Sequence, residues 1–340
     1  DGSAFIRPFS LRGLPPDQTL VLLNSKRRHR SALVQITNQP LAAGAQGPDL
    51  SSIPTIAIKS IEVLRDGAAA QYGSDAIAGV INFQLKDDSD GLSLSARYGQ
   101  YYEGDGEDLT LAANAGFAVA DGFINLSGEY VRAKPTSRGG QRPDAQALID
   151  AGNTAVPVPA QRWGNVNTEA ARFLLNAEVP ASDNATVYLF GNYAWSTGNT
   201  EFFYRNPLTR TDIFRSVPLT DEPGGERFSF ASLFPGGFTP IFGTDIEDLS
   251  IAGGVRGDFG DLQYDFSAIA AQNRVRYNLS NTVNPSLGPD SPTDFNAGKV
   301  TQRETQFHAD FVYPVEIGLA DLLNIAFGAE YRREAFEITA

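Results

Sequence analysis

The sequence predicts a membrane all-β protein: a partial antiparallel transmembrane β-barrel preceded by a small α/β domain. Three observations carry that prediction. Beyond Gly91, apolar and polar residues alternate in nine separate runs. The connections between those runs are short and long by turns. Residues 1–90, by contrast, hold short irregular apolar segments and a balanced charge, nine Lys and Arg against nine Asp and Glu.

At 340 residues the chain is long enough for two domains. Its 33 Gly, 12 Tyr and 22 Phe favour many short strands with turns over helical bundles. With no Cys, disulfides, thiolate metal sites and thiol catalysis are excluded. No apolar run reaches the roughly 18 residues of a spanning helix. A spanning barrel stays open, because its strands are apolar on one face only. The net charge of −13 falls entirely on residues 91–340, which argues against a nucleic-acid partner. The chain starts at Asp1, contains no Met and shows no leader pattern, and is expected to be an internal piece of a longer protein.

In the first region, the apolar run Thr19–Leu23 lies between Pro15-Pro16 and Asn24-Ser25, as a buried strand should. A basic knot follows: Lys26, Arg27, Arg28, His29 and Arg30. Next come a Gly/Pro/Gln-rich stretch at 38–48 and an apolar segment at 53–58. Residues 61–83, IEVLRDGAAAQYGSDAIAGVINF, read as strand, small-residue link, strand. Gly67, Gly73 and Gly79 permit unusual φ there, and the alanines suit a short helical turn.

In the second region one-faced alternation marks strands at 92–98, 109–117, 124–130, 175–179, 249–255, 262–266, 307–313 and 323–331. A ninth, at 187–195, is aromatic on both faces. The connections at 119–122, 180–184, 258–261 and 315–321 are short, and those at 133–170, 197–246 and 276–301 are long. Only the first, near Glu103 to Gly106, is short where a long one is due. Long–short alternation puts the two ends of the strands in different environments, as in outer-membrane barrels with short periplasmic turns and long extracellular loops. A soluble β-sandwich would alternate as clearly but with mixed loop lengths. Aromatics near the strand ends (Tyr98, Tyr101, Tyr102, Tyr130, Tyr193, Trp195, Tyr277, Tyr313, Tyr331) fit interfacial girdles.

The string at 61–83 resembles the plug-domain signature IEVxRGPxxxxYGxxAxxGVINI of TonB-dependent outer-membrane receptors, with Asp66-Gly67 where many members have Gly-Pro. The resemblance implies a plug over residues 1–90, N-terminally incomplete, and a barrel over 91–340, C-terminally incomplete. The nine strands would then belong to a barrel of about 22. It also implies active import of a scarce ligand, a ferric siderophore or similar bulky nutrient, with the plug as gate. The implied partners are outer-membrane lipid, the imported small molecule and the TonB energy-coupling complex. The last would act through a TonB-box segment not in this chain. Catalytic residues, metals and cofactors are not called for.

Candidate residues fall in three groups. Arg27, Arg28, His29 and Arg30 follow a strand comparable to the family's VLVDG strand, which leads into an apical plug loop facing the ligand. Clustered cations suit an anionic ligand; the alternative is a loop paired with barrel-wall carboxylates. Trp163, Phe202, Phe203 and Tyr204 lie in the long connections and suit a ligand-contact surface. Phe228, Phe230, Phe234 and Phe238 instead suggest a small core within their loop. Glu62 and Arg65 lie in the strand the family packs against the wall. Glu129 and Glu178 point to the lumen by alternation, and either could meet Arg65 as a plug–barrel latch. Two other readings remain: a passive loop-constricted porin, and a soluble β-rich adhesin or glycan-binding protein.

Overall fold

The computed structural model describes residues 5–35, 43–65, 72–220, 224–318 and 321–340. The suggested helical turn at 66–71 lies outside the described residues, as does Gly67 and most of the first half of the 38–48 stretch.

The N-terminal region is a four-stranded mixed sheet built from β1 (Thr19–Leu23), β2 (Lys26–Arg27), β3 (Ile58–Leu64) and β4 (Gly79–Leu85). Its order is β2-β1-β4-β3, with β1 parallel to β4 and the other pairs antiparallel. All five residues of β1 are buried, as their unbroken apolar run requires. Leu20 and Leu22 pack with Ala76 and Val80 on one face. Val21 and Leu23 pack on the other with Ile53, Ile81 and Phe83, and also with Leu174, Phe190 and Ile269 of the second region. The first core therefore crosses from one region to the other.

The second region is one antiparallel sheet of nine strands in sequence order. These are β5 (Leu92–Gly99), β6 (Asp108–Val119), β7 (Gly122–Ala133), β8 (Asn167–Ser182), β9 (Ala185–Glu201), β12 (Ile241–Phe259), β13 (Leu262–Ser280), β14 (Phe295–Val315) and β15 (Leu323–Thr339). A two-residue hairpin, β10 (Val217–Pro218) with β11 (Arg227–Phe228), and helices α1 (Pro143–Asp150) and α2 (Thr211–Phe214) sit in the long connections. The sheet curls around the N-terminal domain but does not close: β5 and β15 are its edges. All nine strands marked by alternation are present, including the one that is aromatic on both faces.

The strands run further than alternation alone indicates, 19 residues in β12 and β13 and 21 in β14. A tilted strand crosses a bilayer in about 9–11. Outward positions explain the excess. On β12 they are apolar at Val255, Ile251 and Leu249 and turn charged at Glu247 and Asp245. On β15 they are apolar from Ile325 to Tyr331 and turn charged at Arg333. Pairing continues past the apolar band, so the strands project on the long-loop side. The third long connection shrinks from the expected 276–301 to 281–294. Tyr277, expected in a girdle, instead faces inward and stacks on Phe242 at 5.7 Å.

Two signature glycines have positive φ: Gly73 at 83° and Gly79 at 140°. At Gly79 a Cβ would also sit 2.6 Å from the Leu64 carbonyl oxygen and 2.7 Å from Leu11. The sheet can form here only without a side chain. Gly79→Ala is expected to destabilise the N-terminal domain by roughly 1–3 kcal/mol. The variant should show faster proteolysis within residues 1–90 while the strand region stays resistant; unchanged cleavage would refute the steric argument.

Candidate functional site at the domain interface

The inward face of the nine strands is polar. Asn114, Asn125, Asn176, Asn192, Asn273, Gln302 and Gln306 are all buried, although none sits in an apolar core. Amides need partners when buried. Several find them on the N-terminal domain: Asn176 donates to the Lys86 carbonyl (2.9 Å), Asn125 to the Asp88 carbonyl (3.2 Å), and Asn273 accepts from the Ala32 amide (2.7 Å).

The densest contact is made by the basic knot. Its tight reversal after β1 uses Asn24 and Ser25, both at positive φ, in place of a glycine. From there the chain runs along the sheet wall. Lys26 pairs with Asp265 at 3.1 Å on β13. Arg28 reaches β9 and β12, where one guanidinium nitrogen meets Asp248 Oδ1 at 2.5 Å and Ser52 Oγ at 2.9 Å. The other donates to Asn192 Oδ1 (2.5 Å) and Ser250 Oγ (2.8 Å). His29 Nε2 lies 2.8 Å from Asp248 Oδ2. Asn192 and Asn273 complete the Asp248 shell at 2.9 Å each. Arg28, His29 and Asp248 side chains are only 2–3% exposed, so this is a fully desolvated charge cluster.

Arg27 and Arg30 turn the other way. Both face Asp75, at 2.6 and 3.8 Å, together with Arg332 of β15 at 3.3 Å. Asp75 belongs to the signature's YGSD segment. Burial alone would raise its pKa, but Arg27, Arg332 and Arg30 outweigh that and hold the carboxyl below the ordinary aspartate value. The Arg30 amide also donates to Glu304 (2.8 Å), and its guanidinium lies 3.6 Å from Glu334.

These contacts settle where each candidate residue stands. Arg28 and His29 are buried against the wall and do not line an open apical loop; Arg27 and Arg30 are partly exposed. The carboxylate-paired alternative is the arrangement observed. Arg65 makes no ion pair with Glu129 or Glu178 among the described residues. It is exposed at the end of β3, the sheet's outer strand. Glu62 bonds within its own sheet, to Asn82 at 2.9 Å and Gln84 at 3.3 Å. Glu129 does touch the N-terminal domain, accepting from Thr55 Oγ1 (2.7 Å) while paired to Arg172. Glu178 is tied within the wall to Arg256 at 2.5 Å. The link between the two regions thus runs through the knot and Asp248, not through Arg65. Asp248 escaped sequence reading although it occupies an inward position between Leu249 and Glu247, the same signal that singled out Glu129.

On the long-loop side, Trp163 and Phe203 are half-exposed or more and meet edge to face at 6.0 Å. Phe202 packs on Phe242 at 5.6 Å. Tyr204 is a correction. It is buried among Ala145, Leu148, Val156 and Ala160, donates to the Gly236 carbonyl, and its hydroxyl pKa is pushed up to about 12 by burial and then by Asp144. Phe228, Phe230, Phe234 and Phe238 form a loop core with Ile213 and Phe214.

Two outcomes follow. Asp248→Ala strands Arg28 in a dry interface and should cost about 3–5 kcal/mol of domain attachment. Hydrogen exchange across residues 26–33 should rise sharply, and unchanged protection would remove Asp248 from its central role. For Asp75 the folded pKa is depressed, so its contribution is complete above the ordinary aspartate value near 3.9 and is lost as pH falls through the lower folded value. Acidification should therefore loosen the Arg27–Asp75–Arg332 contact below about pH 4. Exchange in residues 72–76 measured down the pH range should show that step in the native protein and lack it in Asp75→Asn.

The description TonB-dependent Receptor Plug Domain matches residues 1–80. Solved structures share the fold. The siderophore receptor PirA from Acinetobacter baumannii aligns with TM-score 0.58 at 19% identity, over 96% of this chain and 41% of its own. A mutant of the ferric enterobactin receptor PfeA from Pseudomonas aeruginosa aligns with TM-score 0.59 at 16% identity, over 95% and 42%. The FrpB iron transporter from Neisseria meningitidis gives 0.50 at 12%, over 95% and 42%. The chain thus spans about two fifths of the length of these receptors. Residues 1–80 thus match the plug domain of TonB-dependent receptors, and the plug sheet with its nine antiparallel strands has the fold of these solved receptors.

Proposed function

We propose that the protein takes part in plug-gated import of a bulky, scarce nutrient, a ferric siderophore or a similar chelate, driven by the TonB complex. The observation that carries this reading is the charged seat of residues 26–30, desolvated where Arg28 meets Asp248. A purely structural filler would bury apolar groups against the wall. A buried ion cluster adds little net stability yet is costly to break one partner at a time, which suits a seat with an attached and a released state. The plug would correspond to residues 1–90 and the barrel to 91–340. Trp163, Phe202 and Phe203 would offer ligand contacts from the loops, and the partly exposed Arg27 and Arg30 would present charge to an anionic chelate. That PirA is a siderophore receptor and PfeA a ferric enterobactin receptor supports the ligand class.

The test is uptake of radiolabelled iron chelates by cells carrying the intact receptor, with and without TonB. Uptake should require TonB. The double variant Trp163→Ala/Phe203→Ala should weaken chelate binding by about tenfold, the loss expected for two exposed aromatic anchors. Equal uptake of small solutes without TonB would establish a passive pore instead.

A further inference from the structure

The guanidinium of Arg28 carries five N–H donors in a fixed fork. Four are used in the seat: one terminal nitrogen meets Asp248 and Ser52, the other Asn192 and Ser250. The fifth, Nε–H, is buried and has no partner among the described residues. A buried donor in that position bears the full cost of its lost hydration. Two more buried side-chain atoms, Thr19 Oγ1 and Asp17 Oδ1, are likewise without a partner among the described residues.

The chain brings these three together. Asp17 lies in the single 3-10 turn Pro16–Gln18 that leads into β1, and Thr19 opens that strand. By the two-residue period, Thr19 shares a face with Val21 and Leu23, which pack toward the wall. The Arg28 amide donates to the Val21 carbonyl at 2.9 Å, so Arg28 runs beside β1 before its side chain reaches β12. Asp17, Thr19 and Arg28 all line one cavity of about 20 Å³. The other polar groups around it are committed elsewhere. Arg27 and Arg332 pair with Asp75, Glu304 accepts from the Arg30 amide, and Gln46 donates to the Ser31 carbonyl.

Size and chemistry select the occupant. About 10–15 Å³ suffices for a single water, so the cavity takes one molecule of that size and rejects a phosphate or a carboxylate. A small anion would gain Arg28 Nε–H but face the Asp17 oxygen. A bare cation would gain Asp17 but face the guanidinium. A neutral molecule that both donates and accepts suits all three atoms, and three bonds is the usual number for a buried water.

We propose that this cavity is a hydration site for one ordered water, which accepts from Arg28 Nε–H, donates to Asp17 Oδ1 and bonds Thr19 Oγ1. The water ties the residue that seats the plug on the wall back to the plug's own first strand. Thr19 and Asp17 are thereby positioning residues for Arg28. The site follows from the seat alone and does not depend on the imported cargo.

The test is X-ray radiolysis of the intact receptor in detergent after rapid mixing with oxygen-18 water, read residue by residue by mass spectrometry. Hydroxyl radicals formed from a bound water oxidise the side chains beside it. Pro16, Leu20 and Val21 line the cavity and are buried, yet they should be oxidised in the native protein and take up the heavy isotope later than surface residues. Thr19→Val should abolish that labelling and raise hydrogen exchange across residues 26–33 by about fivefold, the factor for one net hydrogen bond. Thr19→Ser, which keeps the hydroxyl, should keep the label. Absence of oxidation at residues 16–21 in the native protein would overturn the proposal whether or not the variants fold. Slower exchange in Thr19→Val would also overturn it, because that is the sign expected when an orphan hydroxyl in a dry cavity becomes a methyl. In crystals of the intact receptor grown with bromide, an anomalous peak in the cavity would replace the water by a halide.

Discussion

The structure turns on a buried carboxylate. Asp248 sits at the middle of a strand that faces the lumen, and a charge there is untenable in a dry interface unless it is fully coordinated. The barrel supplies only the amides of Asn192 and Asn273. Charge balance must come from the plug, and Arg28 provides it, with a His29 ring nitrogen also in contact with the carboxylate. The same logic holds for the wall as a whole. Its inward asparagines and glutamines are buried and find partners on plug carbonyls and amides. A lumen lined this way does not tolerate a loosely fitting occupant, and the plug is held by polar satisfaction as much as by the apolar contacts of Leu23, Phe83 and Ile269.

The order of these contacts along the chain has a mechanical consequence. Lys26, Arg28, Arg30 and Ala32 meet Asp265, Asp248, Glu304 and Asn273 in turn, so the segment is attached along the wall at successive points, with His29 sharing Asp248 with Arg28. A force drawing the chain away from one end loads them one after another. The first two of these contacts are ion pairs, whereas Arg30 and Ala32 attach through their backbone amides. The Glu129–Thr55 contact lies outside that series.

Most of the architecture was legible in the sequence because barrel strands expose their period directly: one face meets lipid, the other meets polar atoms, and loop lengths report the side. What the sequence hid was extent and partnership. Strand length was underestimated because alternation of hydrophobicity ends where lipid ends, whereas backbone pairing in β12–β14 continues into water. Tyr277 looked like a girdle residue, yet its parity places it under Phe242. Tyr204 belonged to a run of exposed loop aromatics but is claimed by the α1 core. Arg65 lies in the strand that the resemblance packs against the wall, whereas it is the signature's Asp75 that meets three arginines, two of them from the knot and one from β15. Partnerships between residues more than two hundred positions apart leave no periodic trace in a single chain.

Arg332 and Arg333 show how closely the two surfaces are coupled. They are consecutive on β15, so their side chains leave opposite faces. Arg332 turns inward to Asp75 of the plug, and Arg333 outward beside Tyr331 at the top of the apolar band. A one-residue slip of β15 on β14 would exchange them, placing Arg332 against lipid and leaving Asp75 with less of its counter-charge. The register is fixed by Phe307 opposite Tyr331, a tilted pair at 6.3 Å, and Phe311 opposite Phe327, stacked at 5.2 Å, both on the outward face. Aromatic pairing on the membrane face therefore determines which arginine reaches Asp75. The lipid-side packing and the charge seat of the plug are two readings of one strand register, and neither could drift without disturbing the other.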